Sequence, residues 1–172
     1  MPASLSIYTI RALHIEVNGP MRRKEKEVCS REVMEKLLET AQVIRIGLVD
    51  GTEPYVVPML FGYRAGRIYL HSAREGRKVD IIRRGGMVCF EVEEAGEVEE
   101  KDTPCKWTVD YASVIGWGDA RVVEDPAEAR SGLDIIMGHY GGKPPFEYSE
   151  ASLAKMLVIR IDITSMTCKR SM

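Results

Sequence analysis

The sequence is poor in the features that usually declare a function outright. Its four cysteines, Cys29, Cys89, Cys105 and Cys168, lie far apart and form no Cys-x-x-Cys pair. That spacing argues against a zinc site or a disulfide framework and for reduced thiols of an intracellular protein. No stretch approaches the roughly 18 to 20 consecutive apolar residues of a membrane span, and the N-terminus lacks a long apolar signal core, so the cytoplasm is the expected compartment and no membrane partner is expected. Charge of one sign is missing too: 24 Lys and Arg face 26 Asp and Glu, a formal charge of −2. No global field favours nucleic acid or an anionic surface, and any basic site has to be local. There is no P-loop, no internal repeat and no linker. The 172 residues fit one domain that buries roughly two thirds of its unfolded surface.

What is present is a strand-rich chain with a few helices. Residues 1–20 have mixed character and read as an N-terminal extension, with 21–172 as the domain. Ser30 is a suitable N-cap for a helix that places Val33, Leu37, Leu38 and Ala41 on one face. A β-rich run from Val43 to Val49 stops at Asp50-Gly51, a strong turn signal, and strands over 55–63 and 67–72 follow. Pro58 removes a ladder donor and so favours an edge, a bulge or a break. A short amphipathic helix carries Val79, Ile81 and Ile82, and Met87 to Glu93 is strand. The polar segment from Glu94 to Asp102 reads as a solvated hairpin loop or excursion. Thr108 to Glu124, interrupted by Gly116 and Gly118, predicts a long bent strand. Asp125-Pro-Ala-Glu128 is a capping box with Pro at the first helical position, and it opens a helix bearing Leu133, Ile136, Met137 and Tyr140. Met156 to Ile163 closes the set as a last strand. An α+β barrel of about six mainly antiparallel strands, with two or three helices outside, is the economical fold.

One stretch carries candidate chemistry. Ile68-Tyr-Leu-His-Ser-Ala-Arg-Glu-Gly-Arg-Lys78 runs from an apolar strand, past His71 and Ser72, through Gly76 into a basic helix start. Helix N-termini present unpaired N–H groups to anions, and Arg77, Lys78 and Ser72 would add two charges and a hydroxyl, enough for a phosphate monoester. A basic but merely solvated face is the alternative. His14 and His139 have no such company and read as surface residues.

Four segments resemble a known family. Pro54 to Tyr63, Ile68 to Lys78, Met87 to Val92 and Ser113 to Gly118 look like the pyridoxamine 5′-phosphate oxidase-related, FMN-binding split-barrel superfamily, and within it most like the nitroimidazole-resistance (Nim) proteins. The likeness runs from near Met21 to Ile163. It implies a six-stranded split β-barrel, an FMN cofactor, and a homodimer with flavin at the subunit interface. By resemblance Val57, Pro58 and Met59 approach the isoalloxazine ring, and His71 and Ser72 reach the phosphate or the ring edge. Arg77 and Lys78 bind the phosphate, and Ser113 comes from the second subunit. Trp117 would cover the flavin, although a half-buried barrel tryptophan is the plainer reading. His71 is the candidate catalytic residue, holding an anion or delivering a proton to a small-molecule substrate. The implied activity is an FMN-dependent oxidoreductase, with a nitroimidazole or nitroaromatic reductase as its specific form. The alternative is a non-catalytic flavin- or haem-binding carrier or sensor, since relatives also take haem or F420. The sequence departs from the family twice. Gly85-Gly86 stands where Nim-like chains carry Asn-Pro, and the chain lacks the C-terminal Arg- and His-bearing segment of the true pyridoxamine-phosphate oxidases.

Overall fold

A computed structural model describes residues 22–28 and 30–171. The 1–20 extension, the domain start at Met21, His14 and Cys29 lie outside the described residues. Eight antiparallel strands form one sheet in the order β3-β2-β6-β7-β8-β5-β4, with β1 (Glu27–Val28) paired to β8. The strands are β2 (Ile44–Asp50), β3 (Glu53–Met59), β4 (Phe61–Arg64), β5 (Arg67–Ala73), β6 (Met87–Glu99), β7 (Thr108–Val122) and β8 (Met156–Ser171). The helices are α1 (Arg31–Thr40), α2 (Arg77–Arg83), α3 (Pro126–His139) and the one-turn α4 (Glu150–Leu153).

The two ends of this sheet, β3 and β4, are consecutive in the chain and separated only by Leu60. β3 pairs with β2 and β4 with β5, so a single bent strand closes the ring covalently where no ladder does. Counting that strand once and setting β1 aside, the barrel has the six expected positions. The break falls at Leu60 and not at Pro58, which stays in register with Arg45. Pro58 is instead an edge proline. Backbone groups in an antiparallel strand point to alternate neighbours, so Pro54 and Pro58, which cannot donate to β2, sit at positions whose amides would face the free side of β3.

Period-2 alternation sorts the side chains into an inner and an outer set. Ile44, Ile46, Leu48, Ile68, Leu70, Val88, Phe90, Val92, Val114, Ile159 and Ile161 fill the interior, joined by Leu37 and Leu38 of α1 and by Val79, Ile81 and Ile82 of α2. Each such fully buried aliphatic contributes about 1.5–3 kcal/mol relative to exposure. A second cluster outside the barrel packs Leu133 and Ile136 of α3 on Tyr69, Val123 and Val158. Gly116 has a packing role: a Cβ there would lie 2.2 Å from Phe90 Cζ, so the Phe90 ring occupies the place of its side chain.

Several local expectations are corrected. Residues from Glu94 to Glu99 are strand, because β7 supplies cross-strand partners at Ala95, Val98 and Glu99 despite the polar composition; their exposure was foreseen. β8 continues eight residues past Ile163, with a bulge at Thr164, pairing as far as Tyr111↔Ser171. Ser30 is the N-cap by position but makes no side-chain capping bond. Asp125 does cap α3, accepting from the N–H groups of Ala127 and Glu128, yet Glu128 turns to Arg160 instead of completing the box. His139 is half-buried, with Nε2 2.8 Å from the Ala41 carbonyl oxygen and its ring 4.5 Å from that of Phe61.

Candidate functional site

The corner expected to hold an anion is where β5 ends and α2 begins. Ile68, Leu70 and Ser72 face inward along β5, whereas Tyr69 and His71 face outward. Ser72 is therefore buried at 5 % exposure and His71 is exposed, so the two side chains serve opposite faces of the sheet. The Ser72 Oγ is shut off from solvent and has no hydrogen-bond partner. An unpaired buried hydroxyl is costly, on the order of 1–3 kcal/mol, and such a group usually marks a function or an unseen partner.

Gly76 caps α2 with φ 126°, a backbone conformation side chains rarely adopt. Its carbonyl accepts from the N–H groups of Val79 and Asp80. At seven residues α2 has little dipole to offer, so side-chain charge matters more here than the helix end. Lys78 is half-buried and makes no ion pair among the described residues.

Arg77 is not free. Its Nε donates to Asp50 Oδ2 at 3.0 Å, its Nη2 lies 2.7 Å from Glu53 Oε2, and its guanidinium stands 4.7 Å from the centre of the Tyr55 ring. Asp50 also accepts from Arg84 Nη2 at 2.5 Å. The hydrogen bond from Arg77 holds the Asp50 carboxyl below the usual carboxylate range, with the positive charges of Arg84 and Arg77 adding to it. In return Glu53, then Asp50, raise the Arg77 guanidinium above its ordinary value. All these groups are well solvated, so the cluster orders the β2–β3 turn against α2 more than it adds stability. Sequence reasoning missed it, having read Asp50 only as a turn residue. Its signal was present, however, in Asp50 and Glu53 flanking one tight turn, with Arg77 opening and Arg84 capping the helix that follows β5.

The remaining expected residues are spread over the sheet. Val57 and Met59 face inward from β3 and are half-buried, and Pro58 faces outward. Trp117 is half-buried on the outer face, in one cross-strand row with Cys89, Gly47 and Val56. Burial pushes the Cys89 thiol up, which makes it a poor nucleophile. Ser113 is opposite Lys169 on β8, whereas Ser72 is opposite Leu157. Twelve strand residues separate those two rungs, about 40 Å along β8. One chain thus does not bring Ser113 to the Ser72 corner. Two cavities, of about 500 and 350 Å³, are lined by none of the expected residues. The smaller lies between α3, α4 and the ends of β7 and β8, with Arg74 and Arg83 on its wall. Among the described residues no helix is long and apolar enough to cross a membrane, and no cluster of three His, Cys, Asp or Glu could hold a metal.

No curated protein sequence matches the chain. A solved structure from Bacteroides thetaiotaomicron, assigned provisionally as a 5-nitroimidazole antibiotic resistance protein, is 31% identical with a TM-score of 0.74, over 84% of this chain and 86% of that one. An FAD- and haem-binding protein from Mycobacterium smegmatis is 22% identical with a TM-score of 0.77, covering 85% of this chain and 73% of its own. A flavocytochrome from Azotobacter vinelandii is 17% identical with a TM-score of 0.75, covering 89% and 72%. The last two likenesses are of fold alone. The family model described as pyridoxamine 5′-phosphate oxidase matches residues 30–170, and the Bacteroides relative agrees with it: the chain belongs to the pyridoxamine 5′-phosphate oxidase family.

Proposed function

We propose that this chain is an FMN-dependent oxidoreductase acting on small nitroaromatic molecules, and that it works as a homodimer with flavin between the subunits. The observation that carries the reading is the solvent-excluded, unpartnered Ser72 Oγ at the strand end that leads to uncommitted Lys78. A phosphate dianion needs charge-assisted donors to leave water, and a hydroxyl, an ammonium and the backbone opened by Gly76 meet that need. Arg77 joins them by giving up one of its two carboxylates. The residues present therefore fit a mononucleotide phosphate.

Bound flavin would supply the electron-transfer chemistry, which these side chains do not provide. The chain's own part is to bind and orient. Lys78 and Ser72 fix the phosphate, the half-buried Val57 and Met59 offer an apolar flank, and the exposed His71 holds an anionic substrate group or donates a proton from its ring nitrogen. Ser113 and Trp117, about 40 and 26 Å along the β8 direction from the Ser72 rung, fit this scheme as contributions from a second copy. The resistance assignment of the Bacteroides relative supports the nitroaromatic substrate class.

The test is the absorption spectrum of the purified protein, followed by anaerobic reduction and addition of a 5-nitroimidazole. Flavin bands that bleach on reduction and return with loss of the nitro absorbance support the reading. A Soret band, or a flavin that never reoxidises with the nitro compound, favours the haem-binding or carrier alternative.

A further inference from the structure

We infer that the outer end of the β6–β7 hairpin is a docking arm that seats on the Arg74–Arg83 surface of a second copy of this chain. The arm is built unlike the rest of the sheet. β2 leaves β6 after the rung at Glu91, and the β7–β8 ladder reaches Tyr111, so among the described residues 96–110 form a two-stranded ribbon without a third strand. Such ribbons are marginal in water by themselves. This one also exposes apolar surface, with Val98 at 62% and Trp107 at 46% exposure, which is the pattern of a surface that finds cover elsewhere.

Its charge names the cover. Between Glu94 and Asp110 six carboxylates (Glu94, Glu97, Glu99, Glu100, Asp102, Asp110) face only Lys101 and Lys106, a surplus of four negative charges. Only Glu99 has an ion-pair partner there among the described residues, Lys101 at 3.3 Å. At the opposite end of the barrel Arg74, Arg77, Lys78, Arg83 and Arg84 face Glu75, Asp80, Asp50 and Glu53, so the net positive charge that is left lies on the side of Arg74 and Arg83. Arg77 and Arg84 are drawn to Asp50 and Glu53, whereas Arg74 donates only to the Met156 carbonyl oxygen and Arg83 makes no ion pair among the described residues.

The two patches cannot neutralise each other within one chain, because the length of β8 lies between them. Placing complementary patches at opposite ends of one barrel is what a twofold, antiparallel dimer requires: the contact is made twice and then closes. Opposite charge across an interface also sets register and speeds encounter. This inference rests on the homodimer proposed above and adds which surfaces meet.

The experiment is a charge swap read by analytical ultracentrifugation at low and high salt. The arm variant Glu97→Lys/Glu100→Lys should weaken the dimer at least tenfold at low salt, and so should the surface variant Arg74→Glu/Arg83→Glu. Mixing the two reversed chains should make both arm contacts complementary again, one in the wild-type sense and one with its charges exchanged, and give heterodimer in preference to either homodimer. Circular dichroism and a thermal melt that match wild type keep misfolding apart from lost docking. A monomeric wild-type chain overturns both the dimer and this inference. A wild-type dimer whose constant is unmoved by reversal, or reversed chains that do not prefer each other, overturns the docking arm alone.

Discussion

Replacing Ser72 with alanine should move stability and flavin affinity in opposite directions. The Ser72 Oγ is buried without a partner, so its removal from the flavin-free protein deletes an unsatisfied polar group and little else. Leaving such a group buried costs on the order of 1–3 kcal/mol, and the recoverable part is about 1 kcal/mol, since some of that burden is relieved by rotation of the hydroxyl. For a domain of this size 1 kcal/mol corresponds to a rise of about 2–4 °C in Tm. If the hydroxyl donates to a phosphate oxygen, a hydrogen bond to a charged group is lost on the bound side, about 1.5–3 kcal/mol, or a roughly 10- to 150-fold higher Kd for FMN. Thermal unfolding of flavin-stripped protein and titration by quenching of FMN fluorescence read the two arms separately. A flavin-free Ser72→Ala variant that melts lower, or an FMN affinity that does not change, would refute the assignment of this hydroxyl to the phosphate.

The ion-pair cluster makes the basic residues unequal: Lys78→Ala should weaken FMN by about 1.5–3 kcal/mol, Arg77→Ala by less, and the double variant by about 2–4 kcal/mol, and equal single effects in the same titration would show that Arg77 is not held by Asp50 and Glu53. Because the Asp50 carboxyl is held below its ordinary value by Arg77 and Arg84, its contribution is present at neutral pH and lost as pH falls through the depressed value; urea unfolding of Asp50→Asn should show a shallower acid decline than wild type. Tyr148 is pushed up to about 12, first by burial and then by its hydrogen bond to Asp134. The stability it contributes is present below the ordinary tyrosine value of about 10 and is lost between there and about 12, so the alkaline unfolding curve of Tyr148→Phe should lack that loss. Gly116→Ala drives a methyl into the Phe90 ring and should destabilise by about 1–3 kcal/mol in urea unfolding, with partial rescue by Phe90→Leu in a double-mutant cycle.

Periodicity made most of the barrel legible. The apolar faces of α1 and α2, Leu133 and Ile136 of α3 (though not the exposed Met137), the turn at Asp50-Gly51 and the Asp125 cap could be read because each is a local signal between near neighbours in the chain. What escaped was set by partners far away in sequence. The segment from Glu94 to Glu99 is polar and looks like loop, yet β7 gives it a ladder. The tail after Ile163 has weak alternation, yet it lengthens β8 to sixteen residues. At the candidate site the residue types were visible but their faces were not: His71 and Ser72 are adjacent letters on opposite sides of a sheet. The engagement of Arg77 also depends on Asp50 and Glu53, 27 and 24 residues earlier, which no spacing rule connects to it.

The prolines of β3 carry a consequence for what can align beside that strand. With Pro54 and Pro58 at positions that point away from β2, the open margin of β3 offers the carbonyl oxygens of residues 54, 56 and 58 but a single amide hydrogen, that of Val56. Another polypeptide would find almost no donors there for a continuing ladder, which protects the seam from amyloid-like stacking. A heterocycle bearing its own N–H would find an acceptor-rich rail, and deuterium uptake at Val56 would report directly whether anything lies along it.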